Sequence, residues 1–318
     1  MSPDMRNCFL FPGQGAQYPG MGMDLWEQSP PVRALFERAS EAAGMDMKRL
    51  LSEATAEELQ ATDKAQPAIT LVNLAASTVL RERGIEMAGC AGFSLGEYAA
   101  LCEAGVISLE DVFPIVMTRG RLMEEASRSI DSASGAPGMA AVLGLHPETV
   151  AALVEQLAGA GVFLANYNSP GQVVLSGTAA GLAKAEAALK EAGAKRFIRL
   201  KVSGPFHCPL MDGAAKAFAE AIAGFTFADP RTAVYSNVTG KAIHSGAEAK
   251  ELCVRQIVSM VRWVTVQESL RADGFDRFYE AGPGTVLAGL MRALWPEGGC
   301  AAAGKMDTIA KLAPGAAG

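Results

Sequence analysis

Gly92-Phe93-Ser94-Leu95-Gly96 sets a serine between two glycines at the spacing of a nucleophile elbow, G-x-S-x-G. A serine on a tight strand-to-helix turn has strained backbone dihedrals, and side chains two residues before and after it would collide. Glycines at 92 and 96 remove those Cβ atoms, so the hydroxyl projects from the end of a strand. The amide of Leu95, at the N-terminus of the following helix, then points to where the oxyanion of an attacked carbonyl would form. The bland reading, a Gly-Ser turn, fits the same five residues.

A serine nucleophile needs a base, and three histidines are available: His146, His207 and His244. His146 precedes Pro147 at a predicted helix start and reads as a surface turn residue. His244, in the polar run KAIHSG, reads as exposed. His207, in VSGPFHCPLM, falls between a strand and a helix, where a loop can aim a side chain into a cleft; packed core beside Phe206 fits it equally well. Ser94 before His207 agrees with the order nucleophile, acid, histidine. No acidic residue between them stands out as the orienting third member. Glu97 and Asp111 read as helix-terminal charges. Gly13-Gln14-Gly15 lacks a third glycine in the dinucleotide-binding position, and no phosphate-binding P-loop is present.

The elements that must position these groups follow from patterning. Cys8 to Phe11 reads as a strand running into Pro12-Gly13, and helices are expected over 29–42, 56–61 and 66–83. Met87 to Phe93 reads as a buried strand, Leu95 to Ala104 as a helix, and Ser108 as the start of another. Asp111 gives that start a weak capping box, and Pro114 predicts a kink or a later start. Ser127 to Pro137 has linker composition. Beyond it come strands at 139–144, 162–167, 172–176 and 196–202, with helices at 147–158 and 179–192. Strand-helix-strand-strand-helix-strand is the ferredoxin-like order. Helices at 209–223, 250–260 and 286–295, with strands at 233–236 and 275–281, return to the first unit, and the tail after Ala310 reads as frayed. The expected fold is α/β. An α/β-hydrolase-like large subdomain (1–130 and 203–318) carries an inserted ferredoxin-like small subdomain (131–202).

Composition excludes several classes. The 28 basic and 34 acidic side chains give a formal charge of −6, which argues against a nucleic-acid binder. Six scattered cysteines without a C-x-x-C pair suit reduced thiols and a cytoplasmic protein. Three histidines make a His-rich metal site unexpected. Neither a signal peptide nor a membrane-spanning apolar stretch is apparent.

Seven motifs in order carry a resemblance: FPGQGAQYPGMG at 11–22, GFSLGEYAAL at 92–101, TRGRLM at 118–123, NYNSPGQVVLSG at 166–177, VSGPFHCPLM at 202–211, SNVTG at 236–240 and EAGPGTVLAGL at 280–290. Together they resemble the malonyl-CoA:acyl carrier protein transacylases and the related acyltransferase domains of fatty acid and polyketide synthases. The resemblance implies a ping-pong transfer of malonyl from coenzyme A to an acyl carrier protein, with coenzyme A thioester as substrate and no cofactor. It implies Ser94 as the acylated nucleophile and His207 as its base. Gln14 and Leu95 would form the oxyanion hole, Arg119 would hold the malonate carboxylate, and the backbone carbonyl of Gln256 would orient the imidazole. Periodicity does not separate Arg119 from Arg121; the resemblance selects Arg119. Phe206 before His207 matches malonyl-selective members, where a bulky ring leaves little room for an α-methyl group.

One departure is chemical. The family usually has histidine immediately before the serine, whereas this chain has Phe93, which cannot donate to the acyl carboxylate and makes the pocket drier. Two further functions share the motif: an acyl hydrolase clearing carrier proteins, and a non-catalytic carrier-binding subunit. Lys195, Arg196, Arg199 and Lys201 read either as a patch steering an acidic carrier protein or as charge protecting an edge strand.

Overall fold

The computed structural model describes residues 6–130 and 135–312. Among the described residues nine strands form two sheets: β1 (Asn7–Phe11), β2 (Gly89–Gly92), β3 (Gly138–Leu143), β4 (Val162–Ser169), β5 (Gln172–Gly177), β6 (Arg196–Arg199), β7 (Ala233–Tyr235), β8 (Arg277–Glu280) and β9 (Cys300–Ala302). The larger sheet has the order β7-β2-β1-β8-β9 and is parallel throughout. Its central strands are short and buried on both faces, as helices covering a parallel sheet require; β1 and β2 are made mostly of apolar and small residues, while β8 buries Arg277 and Glu280 at its ends. β1 and β2 run side by side, Phe11 opposite Gly92, so the glycine loop after Phe11 and the elbow after Gly92 leave the same end of the sheet.

The smaller sheet, of order β4-β5-β3-β6, is antiparallel. Helices Pro147–Gln156 and Ala179–Glu191 complete the ferredoxin-like order, burying Val150, Leu182 and Leu189 against Val142 and Leu175. Two backbone bonds tie β4 to the larger unit: Tyr167 N–H donates to the Val261 carbonyl at 2.9 Å and Val261 N–H to the Ala165 carbonyl at 2.8 Å.

Several elements differ from expectation. The helix predicted from Ser108 runs unbroken over Leu109–Ser129, with Ser108 as its cap, so Pro114 does not delay its start. That proline removes one donor, facing the carbonyl of exposed Glu110, which solvent can satisfy. The same helix absorbs the first residues of the expected linker, and residues 131–134 of that linker lie outside the described residues. The helix expected from 66 begins at Thr62 and contains Pro67. Residues 56–61 hold only a 3-10 turn, Glu58–Gln60. The helix expected from 250 spans Gly246–Gln256, capped by Ser245. β6 stops at Arg199, and Leu200 and Val202 instead line the cleft described below. The expected fraying after Ala310 falls mostly on 313–318, outside the described residues.

Among the described residues, no helix is long and apolar enough to cross a membrane, and no group of three His, Cys, Asp or Glu side chains could hold a metal ion. The six cysteines are free thiols.

Candidate active site

Ser94 follows β2 and precedes helix Gly96–Glu103. Its φ of 52° lies in the left-handed region, a strained conformation for a residue with a side chain. The flanking glycines are sterically required. A Cβ on Gly92 would fall 1.9 Å from the Gly96 carbonyl carbon, and one on Gly96 would fall 2.0 Å from the Phe11 carbonyl oxygen. Asn237, in the loop after β7, clamps the turn. Its Oδ1 accepts from the Ser94 amide at 2.6 Å and its Nδ2 donates to the Gly92 carbonyl at 2.7 Å.

The Ser94 hydroxyl and the His207 Nε2 are 2.7 Å apart across the cleft. His207 also has a left-handed φ, 60°. Its Nδ1 lies 2.8 Å from the Gln256 carbonyl oxygen. A carbonyl only accepts, so Nδ1 carries the hydrogen, leaving Nε2 bare to accept from the serine. Gln256 ends helix Gly246–Gln256, so this carbonyl sits at the negative pole of a helix and lends partial charge to an uncharged orienter. Ser176 of β5 donates to the Phe206 carbonyl at 2.6 Å, fixing the loop just before the imidazole. Burial, with the Arg119 charge second, pushes the His207 pKa down to about 4, so the ring is neutral and basic at neutral pH.

Arg119 is buried. Its Nη1 donates to Gln66 Oε1 at 3.1 Å and its Nη2 to Gln256 Oε1 at 3.0 Å, and it stands over the Tyr98 ring at 5.3 Å. Its Nε has no partner among the described residues. Two amide oxygens and a ring face leave a buried guanidinium with no carboxylate in contact among the described residues, Glu97 acting on it only from beyond Gln256, the arrangement expected where an anionic ligand completes the pair. Arg121, two residues on, points to solvent and pairs with Glu125 at 3.0 Å. The structure therefore separates the two arginines.

Ser94, His207, Arg119, Gln14, Phe93 and Phe206 line one cavity of about 120 Å³, to whose wall the small sheet contributes Met139, Asn166, Asn168 and Val174. Phe93 meets Trp263 edge-on, ring centroids 5.3 Å apart. The backbone amides of Gln14 and Leu95 donate to no acceptor among the described residues, as an oxyanion hole requires; the Gln14 side-chain amide donates to Thr62 Oγ1 at 3.5 Å. An outer cleft of about 460 Å³ shares Gln14, Phe93, Asn168, Leu200 and Val202 with the inner cavity, and Lys201 and Val286 stand along it. His146 and His244 are exposed, away from the cavity.

Sequence reasoning missed three residues. Gln66 belongs to a polar stripe, Gln66, Thr70, Asn73 and Ser77, fully buried on helix Thr62–Glu82; Asn73 also holds the Pro12 carbonyl at 2.9 Å. The helical spacing of these polar residues among apolar ones was the available signal. Asn237 lies within SNVTG, a motif read without a role. Glu97 stands in the first turn of its helix, as read, but it is fully buried, and its Oε2 accepts from Asn237 N–H at 2.8 Å and Gln256 Nε2 at 2.9 Å.

A parallel sheet ending in a serine elbow, with a neutral histidine in hydrogen-bond contact and free amides beside it, defines the class of serine enzymes that form acyl intermediates. The sequence model of the acyl transferase domain matches residues 8–308. A malonyl CoA-acyl carrier protein transacylase of Bacillus subtilis (strain 168) is 42% identical over 287 residues, covering 90% of this chain and 89% of the relative. The crystal structure of a malonyl CoA-acyl carrier protein transacylase from Clostridium perfringens superposes with a TM-score of 0.91 at 36% identity, covering 96% of this chain and 95% of that one. A malonyl-transacylase solved in complex with its type II PKS acyl-carrier protein superposes at 0.90 with 36% identity, covering 96% and 98%. The chain belongs to the malonyl CoA-acyl carrier protein transacylase family of acyl transferases.

Proposed function

We propose that this chain transfers a malonyl group from malonyl-CoA to the phosphopantetheine thiol of an acyl carrier protein, through malonyl-Ser94, in fatty acid or polyketide synthesis. The observation that carries the reading is the shared cavity: a serine bonded to a neutral histidine beside a buried arginine that touches no carboxylate among the described residues. The malonate carboxylate pairs with that arginine and sets the thioester carbonyl before Ser94. His207 Nε2 takes the hydroxyl proton as Oγ attacks the carbonyl carbon. The oxyanion rests on the amides of Leu95 and Gln14, and its collapse breaks the C–S bond. The imidazolium then protonates the departing thiolate of coenzyme A. The carrier thiol repeats the sequence in reverse, giving its proton to His207 and taking the malonyl group.

Phe206, buried in the cavity wall, fits a role in limiting an α-methyl substituent, and Phe93 packed on Trp263 keeps water-ordering groups from that side. The outer cleft suits the pantetheine arm common to both thioesters. Exposed Lys195, Arg196, Arg199 and Lys201, on and beside the free edge strand β6, supply local positive charge to a chain that is acidic overall. We take residues 1–130 with 203–318 as the catalytic subdomain and 131–202 as the inserted one. Every step draws on side chains and backbone amides, without a cofactor, and the free thiols support a cytoplasmic setting.

Water competes with the carrier for the same acyl-enzyme, so partition is the test of transferase against hydrolase. With malonyl-CoA and phosphopantetheinylated carrier protein, malonyl-carrier is the expected main product and free malonate a minor one. Dominant malonate release, unaffected by carrier concentration, would overturn the reading.

A further inference from the structure

Glu97 is fully buried, and the mechanism above gives it no part. Its Oε2 takes two donors, Asn237 N–H and Gln256 Nε2, while Oε1 has no partner among the described residues. Burial raises its pKa to about 7, and Oε2 accepts the same two donors whether or not Oε1 carries a proton.

The consequence falls on Gln256. A side-chain amide has two flips of nearly equal shape, and its partners alone decide between them. Gln256 Nε2 faces Glu97 Oε2 at 2.9 Å and the Ser94 carbonyl at 3.1 Å; Gln256 Oε1 faces Arg119 Nη2 at 3.0 Å. Both Nε2 partners present acceptors, so the nitrogen must lie on their side and the oxygen on the side of the guanidinium. In the opposite flip an amide NH2 would press on a buried cation, and an amide oxygen would face two acceptors. The Gln256 backbone carbonyl that holds His207 belongs to the helix and does not depend on this choice.

We propose that Glu97 is a positioning residue for acyl selectivity: together with the Ser94 carbonyl it accepts from Gln256 Nε2, fixes the polarity of that amide, and so aims Arg119 at the acyl carboxylate. The inference rests on the reading of Arg119 as the carboxylate-binding group. Loss of Glu97 also frees the Asn237 amide, so some activity toward every acyl group falls with it. The selectivity ratio isolates the positioning effect.

The test measures kcat/KM for malonyl-CoA and acetyl-CoA in wild type, Glu97→Met, Glu97→Gln and Arg119→Ala. Methionine fills the glutamate volume without an oxygen acceptor; glutamine keeps an oxygen for both donors. The malonyl-to-acetyl ratio is expected to fall about five- to tenfold in Glu97→Met, mainly through the KM for malonyl-CoA, and to stay within about twofold of wild type in Glu97→Gln. An unchanged ratio in Glu97→Met, alongside a lowered one in Arg119→Ala, overturns the proposal. An unchanged ratio in Arg119→Ala overturns the underlying reading of Arg119 as well. Should Glu97→Met not fold, Glu97→Asp, one methylene short of its donors, is measured in the same way against the same outcomes.

Discussion

His207→Ala is expected to slow malonyl loading of Ser94 by about 10²- to 10⁴-fold, the contribution of a positioned general base. The variant keeps the elbow, its glycines and the free amides, so substrate still binds, and the loss falls on kcat. Single-turnover release of coenzyme A measures it; a fall of less than about tenfold would remove His207 from the mechanism. The wild-type pH profile carries the same information. A neutral imidazole is the active form, and its pKa of about 4 leaves the base available well below neutrality. The acid limb of kcat/KM is expected near pH 4, not near the ordinary histidine value. Arg119 is one of the two causes of that depression. A bound malonate neutralises the guanidinium, so the acid limb of kcat is expected at higher pH than that of kcat/KM.

Arg119→Ala is expected to cut the preference for malonyl over acetyl by about 10- to 100-fold, since a charge-assisted pair contributes about 1.5–3 kcal/mol and each 1.4 kcal/mol is tenfold. Acetyl leaves the wild-type guanidinium buried and unpaired, so that substrate should gain or stay level when the arginine is removed. Competition between malonyl-CoA and acetyl-CoA, read by intact mass of the acyl-enzyme, checks this directly. The same variant should move the acid limb of acetyl loading upward, because the field that depresses His207 is gone. A variant that keeps its malonyl preference would take Arg119 out of substrate recognition.

The elbow was legible because its demands are local: two glycines and a serine at fixed spacing, after a short apolar run. The inserted subdomain was legible for a related reason, since strand and helix periods alternate in the ferredoxin-like order. Arg119 was more legible than the sequence reading allowed. Val112, Ile115, Val116 and Met123 are buried on the same helix, and Arg119 falls among them at helical spacing while Arg121 does not. Helix Trp263–Ala272 went unmarked because Trp-Val-Thr-Val opens it with residues that favour strands. Helices Met23–Gln28 and Met47–Glu53 are too short for a clear period. The network through Glu97, Asn237 and Gln256 was out of reach for a different reason. Glu97 and Gln256 are 159 positions apart, and only tertiary folding brings them to 2.9 Å. The third member of the site also hid from a search for acids, because a helix-terminal carbonyl occupies that place.

That the malonyl group rides on one serine is best tested by acid-quenched mass spectrometry of the chain after brief exposure to malonyl-CoA, with peptide mapping. A single malonyl adduct is predicted on the peptide containing Ser94, discharged by carrier protein and absent from Ser94→Ala. An adduct elsewhere, or a Ser94→Ala variant that still malonylates the carrier at the wild-type rate, would contradict the account.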